Sequence, residues 1–231
     1  MLKSRATLAL AALAVSVLAA GCSGGGNDGG GDPTKRLETA RSELDDANSI
    51  ELTLETDELP SGVDGILSAE GVGTHDPAFD GTAQVHAFGI TGEVPIVAVG
   101  GAVYVKLPFK SDYEPFDLTE YDAPDPASLL STEDGLTSMI TSLEDVDAGE
   151  TELDDETKVT PINGVLPGEV VGTLFPSVEP ADDFDVTFRV DGDDSLRDAT
   201  ITGPFYPDAD DLTYTISLTA SDEQVDIAKP S

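Results

Sequence analysis

Hydrophobic positions along the chain change period several times, and each change marks an element. Residues 34–49, TKRLETARSELDDANS, carry Leu37, Ala40, Arg41, Leu44 and Ala47 at spacings of three and four, which predicts one amphipathic helix opened by Asp32 or Thr34. The period then drops to two. IELTLE places Ile50, Leu52 and Leu54 on one face, ILSAEGVGT follows, and GTAQVHAFG aligns Ala83, Val85 and Ala87. VPIVAV and AVYVKL are split by Gly100 and Gly101, the signal of a tight hairpin, so this part reads as an antiparallel meander.

A turn-rich excursion, FKSDYEPFDLTEYDAPDP, interrupts the alternation. Asp125 and Pro126 then start a helical stripe of Leu129, Leu130, Leu136, Met139, Ile140, Leu143 and Val146, with Gly135 dividing it and Ser131 and Asp134 capping the second piece. AGETELDD and TKVTPINGVL predict two strands. LPGEVVGTLFP predicts a short helix bearing Val170, Val171, Leu174 and Phe175 and ended by Pro176. The last third alternates strictly through Phe184, Val186, Phe188 and Val190, then Ala199 and Ile201, then Leu212, Tyr214, Ile216 and Leu218, then Val225 and Ile227. VDGDDSLRD and PDADD are the turns between them. Helices segregated from a mostly antiparallel sheet give an α+β fold, not a doubly wound one.

Ahead of the first helix the pattern is of another kind. Lys3 and Arg5 precede the apolar run TLALAALAVSVLAA, too short for a permanent span of about 20 residues, so residues 1–21 read as an export signal. The run ends on Gly21 followed by Cys22, the only cysteine in the chain. Cleavage just before such a cysteine, with acylation of its sulfur, makes a bacterial lipoprotein; Ala19 stands where the usual box has leucine, with Leu18 one position upstream. Residues 22–33 are then the lipidated cysteine and a glycine-rich tether, whose reach is on the order of 20 Å. Residues 34–231 form one folded domain.

Charge narrows the functional classes. Eleven Lys and Arg against 46 Asp and Glu give a net charge of −35, spread along the chain, which disfavours sequence-independent binding to nucleic acid and to anionic lipid head groups. Solubility in a salty exterior accounts for such a surface, and a calcium-dependent surface is the sharper reading. Two acidic runs, DVDAGE and DGDD, lack the ligand spacing of a calcium loop, and the second reads as a hairpin turn. His75 and His86 lie on separate segments and supply too few ligands for a metal. No nucleophile elbow, phosphate loop or HExxH motif is present, so no catalytic residue, metal site or cofactor is assigned and the chain does not read as an enzyme.

The fixed order of SAEGVGTHDPA, VPIVAVGGAVYVKLP, YDAPDPASLLSTEDGLTSMI, INGV and VTFRVDGDDSLRDATITGP behind a lipobox resembles the LppX/LprA/LprF/LprG family of actinobacterial lipoproteins, from about Ala40 to Pro230. The resemblance implies a curled antiparallel sheet, an incomplete β-barrel, with helices on its concave side enclosing an apolar cavity for acyl chains. It implies a carrier of acylated lipids or glycolipids in the cell envelope, held extracytoplasmically to the membrane by its N-terminal anchor and working with a membrane exporter. Independently, the strand faces mix Val with Gly73, Ala83, Ala87, Ala98 and Ala102, small residues that leave volume for such a cavity. Its expected lining is Leu136, Met139, Ile140 and Leu143 from the stripe, Val170, Leu174 and Phe175 from the short helix, and Ile50, Leu52, Leu54, Val85, Val97 and Val99 from the sheet. The alternative from another class is an acidic surface adhesin or scaffold with a packed core and no lipid cargo.

Overall fold

The computed structural model describes residues 31–120 and 123–230. The export signal, Cys22 and the tether as far as residue 30 lie outside the described residues. Helix α1 spans Pro33–Asp45. Asp32 caps it by accepting a hydrogen bond from the Thr34 amide at 3.1 Å, and Pro33 takes the first turn, where a missing N–H loses nothing.

Twelve strands follow among the described residues: β1 Ser49–Glu55, β2 Gly65–Thr74, β3 Ala78–Ala87, β4 Ile90–Val99, β5 Ala102–Val105, β6 Glu114–Phe116, β7 Glu144–Ala148, β8 Glu152–Asp154, β9 Thr157–Pro167, β10 Asp183–Asp191, β11 Leu196–Gly203 and β12 Leu212–Ser221. They form one antiparallel sheet in the order β6-β5-β4-β3-β2-β1-β12-β11-β10-β9-β7, with β8 on β9. The two end strands, β6 and β7, do not pair with each other, so the sheet is open: an incomplete barrel in an α+β fold. The helices on it are α1, α2 (Leu136–Ile140), α3 (Gly168–Val171) and a 3₁₀ turn at Ser128–Leu130.

Pairing registers sort the connections into two ends. At one end lie the β2–β3, β4–β5 and β10–β11 turns, together with α1; at the other lie the β1–β2, β3–β4, β5–β6, β9–β10 and β11–β12 connections. Alpha-1 is fastened at the first end by two side chains. Buried Arg36 donates from Nε to Asp194 Oδ1 at 2.5 Å and from Nη2 to the Asp191 carbonyl at 2.6 Å, both in the β10–β11 turn. His75, in the β2–β3 turn, sets Nε2 3.0 Å from the Leu44 carbonyl and Nδ1 2.9 Å from the Leu130 carbonyl, tying α1 and the 3₁₀ turn to the sheet.

The concave face is crowded. Gly71 pairs directly with Gly81, and a Cβ on either would collide with the Phe79 ring and with backbone of the paired strand. The Phe184 ring occupies the same place over Gly203, as do Leu130 over Gly73 and Leu143 over Gly164. Glycine on this face is therefore space that a neighbouring side chain fills. At the β4–β5 hairpin the requirement is conformational: Gly100 and Gly101 have φ of 63° and 74°, the left-handed values that a two-residue turn imposes.

Four sequence expectations are corrected. The stripe from Leu129 to Val146 is not two helices but a 3₁₀ turn, a five-residue α2 and then β7, which takes Val146 into the sheet and leaves Leu143 in the connection. Gly135 abuts the backbone of Leu129 and Ser131, so the chain turns back on itself there, and Ser131 Oγ accepts from the Glu133 and Asp134 amides of that turn. The short helix ends at Gly172, ahead of Leu174, Phe175 and Pro176. A three-residue strand, β6, forms inside the excursion. Val225 and Ile227 are in no strand: residues 222–230 form a tail without regular structure, starting where Asn48 and Ser49 donate to the Asp222 and Glu223 carbonyls.

Gly81→Ala is expected to lower stability by about 1–3 kcal/mol through overpacking, while Gly192→Ala, with open space around it, leaves stability unchanged; urea midpoints at constant m-value distinguish them. His75→Ala removes the imidazole that lies between the Leu44 and Leu130 carbonyls and is expected to cost about 1–3 kcal/mol in the same measurement.

Candidate functional site

An apolar cavity of about 110 Å³ lies beneath the N-terminal half of the sheet. Its floor is the concave face: Leu52 and Leu54 of β1, Ile66 and Ala69 of β2, Phe79, Thr82 and Ala83 of β3, Ile96 of β4 and Tyr214 of β12. Its roof is irregular chain: Ala123, Pro124, Pro126 and Leu129 on one side, Phe175, Ser177, Phe205 and Tyr206 on the other. Asp64, from the β1–β2 connection, and Gly65, the first residue of β2, stand at the rim.

An aromatic cluster separates this space from the rest of the core. Phe205 meets Phe175, Phe184 and Tyr214 edge-on, with ring centroids 5.3, 4.9 and 5.0 Å away. Such pairs contribute about 0.5–1.5 kcal/mol each beyond their buried area. Edge-to-face geometry fixes the roof to the floor without any charged group.

The polar content of the cavity is a short relay. Tyr214 donates its hydroxyl to the Ile66 carbonyl at 2.8 Å and lies 3.1 Å from the Tyr206 hydroxyl, which donates to it. Burial, and secondarily the neighbouring Tyr206, pushes the Tyr214 phenol far above its ordinary range, so it stays protonated. Gly65 lets this happen: a Cβ there would strike the Tyr206 hydroxyl. Ser177 spends its hydroxyl on the Phe205 carbonyl at 2.8 Å. The cavity thus offers apolar contact and satisfied hydroxyls, with no nucleophile beside a base.

The sequence-assigned lining residues go to several places. Leu52, Leu54 and Phe175 border the cavity. Ile50 is buried on the same concave face, farther along β1 and off the cavity. Leu136, Met139 and Ile140 pack tightly on Phe188, Leu196, Ala199, Ile201, Ile216 and Leu218, under the C-terminal half of the sheet. Leu174 belongs to the core, and Leu143 and Val170 pack against it half-buried. Val85 shares the face of Ala83 on β3 but is half-buried at the strand end.

Val97 and Val99 are a correction: Ile96 and Ala98 are the inward positions of β4, and the alternation puts both valines on the convex face. The all-apolar run PIVAV gives no polar alternation to show which face is inward, and a shift of one residue reverses it. Val97 is nonetheless only 3% exposed, and the C-terminal tail reaches this face, where Lys229 lies 5.1 Å from the ring of Tyr104, the cross-strand partner of Val97.

Phe205 and Tyr206 carry the roof and the relay, and sequence periodicity passes over them because they sit in a connection, not in an element. The available signal is two aromatics bracketed by Pro204 and Pro207. The DGDD run is structural. Asp191 Oδ1 accepts from the Asp193 and Ser195 amides in the hairpin turn, and Asp194 holds Arg36. His86 bonds Thr91 across the β3–β4 hairpin at 2.9 Å.

Against known proteins, the chain matches the family model of the LppX/LprA/LprF/LprG lipoproteins over residues 32–227. Among solved structures it resembles LprF from Mycobacterium bovis, with a TM-score of 0.67 at 15% identity over 86% of this chain and 97% of that one. It also resembles the lipoprotein LppX of Mycobacterium tuberculosis, with a TM-score of 0.59 at 21% identity over 85% and 98% of the two chains. No sequence among curated proteins is significantly similar to it. Fold and family model agree, and the chain belongs to the LppX/LprA/LprF/LprG family: a lipid-binding, lipid-anchored protein on the extracytoplasmic face of the membrane, and not an enzyme.

Proposed function

We propose that the protein carries an acylated lipid or glycolipid in the cavity beneath β1–β4, tethered through an acylated Cys22, and passes it between envelope partners, a membrane exporter among them. The observation that supports this most is an apolar cavity, free of ionised groups inside, set between a curled sheet and a roof of irregular chain. Each methylene moved from water into such a space contributes about 0.8 kcal/mol, so affinity needs no charged partner.

The volume sets a condition on loading. An engineered apolar cavity of about 150 Å³ admits a benzene, and this one is smaller, so an acyl chain enters only as the roof moves. The roof suits that. Residues 125–131 hold their own turn together, with Ala127 and Ser128 donating to Asp125 and Ser131 to the Ser128 carbonyl, and can shift as a unit. Beyond apolar contact it is fastened by His75 at the Leu130 carbonyl and, at its C-terminal end, by the Gly135 amide to the Ser131 carbonyl and Arg41 to the Thr132 carbonyl, which leaves the end toward Asp125 the freer one.

Purified protein incubated with envelope lipids and extracted for mass spectrometry is expected to yield bound acylated lipid. Ala83→Leu, which grows a side chain into the cavity floor, should reduce the recovered lipid severalfold while leaving stability within about 1 kcal/mol, because the added carbons occupy existing space. Equal recovery from both proteins would remove the cavity from the reading; no lipid from either would favour the acidic scaffold. Cys22→Ser is expected to move the protein from the membrane fraction to the soluble or unprocessed precursor fraction, read by fractionation and the mass of the mature N-terminus.

A further inference from the structure

Five large hydrophobic side chains stand exposed among the described residues, and four share one end of the sheet. Phe88 is 82% exposed and Ile90 71% in the β3–β4 turn; Leu107 is 38% exposed and Phe109 wholly so in the β5–β6 connection. The fifth, Leu153, lies on β8 at the opposite end.

Two observations set these four apart from scattered surface residues. Both phenylalanines adopt left-handed backbone, with φ of 55° at Phe88 and 69° at Phe109, a conformation that costs about 1–2 kcal/mol for a residue other than glycine. An aromatic ring is thus held in solvent, on strained backbone, at two neighbouring turns. The turns are also built together: Pro108 lies 3.7 Å from where a Cβ on Gly92 would stand, just past Ile90 on β4. The Phe88 amide donates to Asp64 Oδ1 at 3.2 Å, and Asp64 is a rim residue of the cavity. The apolar tips therefore form a lip beside the cavity mouth.

We propose that this lip seats the mouth in the headgroup layer of a lipid bilayer, with Phe88, Ile90, Leu107 and Phe109 reaching the acyl boundary. Shape and charge favour a bilayer over a protein partner. The lip is the tips of two turns, not the flat patch of about 800 Å² per side that a stable protein interface needs. In a chain with 46 acidic and eleven basic residues, Lys106 and Lys110 bracket Leu107 and Phe109; Lys110 forms an exposed pair with Glu114 at 3.0 Å, weak enough to exchange for a phosphate, and lysines beside aromatic and aliphatic tips suit phosphates above acyl chains. Acidic groups beyond about 8 Å are screened at physiological salt, so the net charge does not prevent local contact.

Reach is consistent with the anchor proposed above. The tether joins α1 at the far end of the sheet, and ten-residue β2 spans about 33 Å. Residues 22–31, drawn out, cover about the same distance, so the body can lie along the membrane with its lip down. Docking requires no cargo, so it can fail or succeed independently of lipid carriage.

The chain has no tryptophan, which makes single replacements clean reporters. Phe88→Trp, Phe109→Trp and Leu153→Trp, each in the full lipoprotein reconstituted on vesicles of phosphatidylethanolamine and phosphatidylglycerol, are compared with and without brominated acyl chains. The expected result is blue-shifted emission, largely quenched by bromine, at positions 88 and 109, and water-like, unquenched emission at 153, although all three are equally anchored. Emission at 88 and 109 matching that at 153 would overturn the proposal. So would a shift that follows protein concentration at fixed lipid, which would identify a second copy as the occupant. Ile90→Trp in a Phe88→Ser, Phe109→Ser background should lose its quenching with the circular dichroism spectrum unchanged; retained quenching would overturn the role of the two rings.

Discussion

The pairing of β1 with β12 is the contact on which the remaining architecture depends. It joins the meander β1–β6 to the C-terminal strands along the whole length of β1, from Ser49 opposite Ser221 to Glu55 opposite Thr215. That register aligns Leu52 with Leu218 and Leu54 with Ile216 on the concave side, placing the floors of both halves on one surface. It also brings the two flanking segments together at one end. Alpha-1, entering β1, closes the concave side, and the tail leaving β12 reaches the convex one. The same strands that begin and end the domain therefore sit at its middle, and the long loop closure is offset by a full ladder of backbone hydrogen bonds.

Curvature and filling are balanced against each other on the concave face. Small residues allow the sheet to curl, but a curled sheet brings neighbouring side chains over them, and Phe79, Leu130, Leu143 and Phe184 occupy that room. Close packing wins under the C-terminal half, where α2 seats Leu136, Met139 and Ile140 on β10–β12. Under the N-terminal half no helix covers the floor. The roof there is proline-bearing chain and a loop carrying Phe205 and Tyr206, and a cavity remains.

Scarce cations are spent as clamps. Arg36 ties α1 to the β10–β11 turn. Arg41 reaches Asp45, the Thr141 hydroxyl at 2.7 Å and the Thr132 carbonyl at 3.0 Å, linking α1 to both ends of α2's segment. Arg189, on the convex side, joins β10 to Asp198 of β11 and to Asp154 of β8, and its guanidinium is held even more firmly protonated by Asp154. A planar group with five donors suits such multi-element contacts better than lysine does. Lys106 and Lys110 stand near the lip, Lys110 in an exposed pair with Glu114.

Periodicity was enough to read α1, most of the strands and their α+β class, because each depends on local alternation, capping or turn chemistry that neighbouring residues carry themselves. Asp32 with Pro33, Gly100 with Gly101, and the strict alternation from Phe184 to Leu218 are of this kind. It misread the stretch after Gly135, where helical spacing from Leu136 to Val146 gave way to β7, since pairing with β9 outweighs propensity in so short a run. It left β4's faces ambiguous, because five apolar residues in a row carry no alternation. Which side is concave, which small residues face space and which are covered, and that Phe205 and Tyr206 return to the floor are settled only by long-range packing. The chain by itself determined its elements and its family; the tertiary structure decided where the cavity lies, because a void belongs to the residues around it and not to any segment.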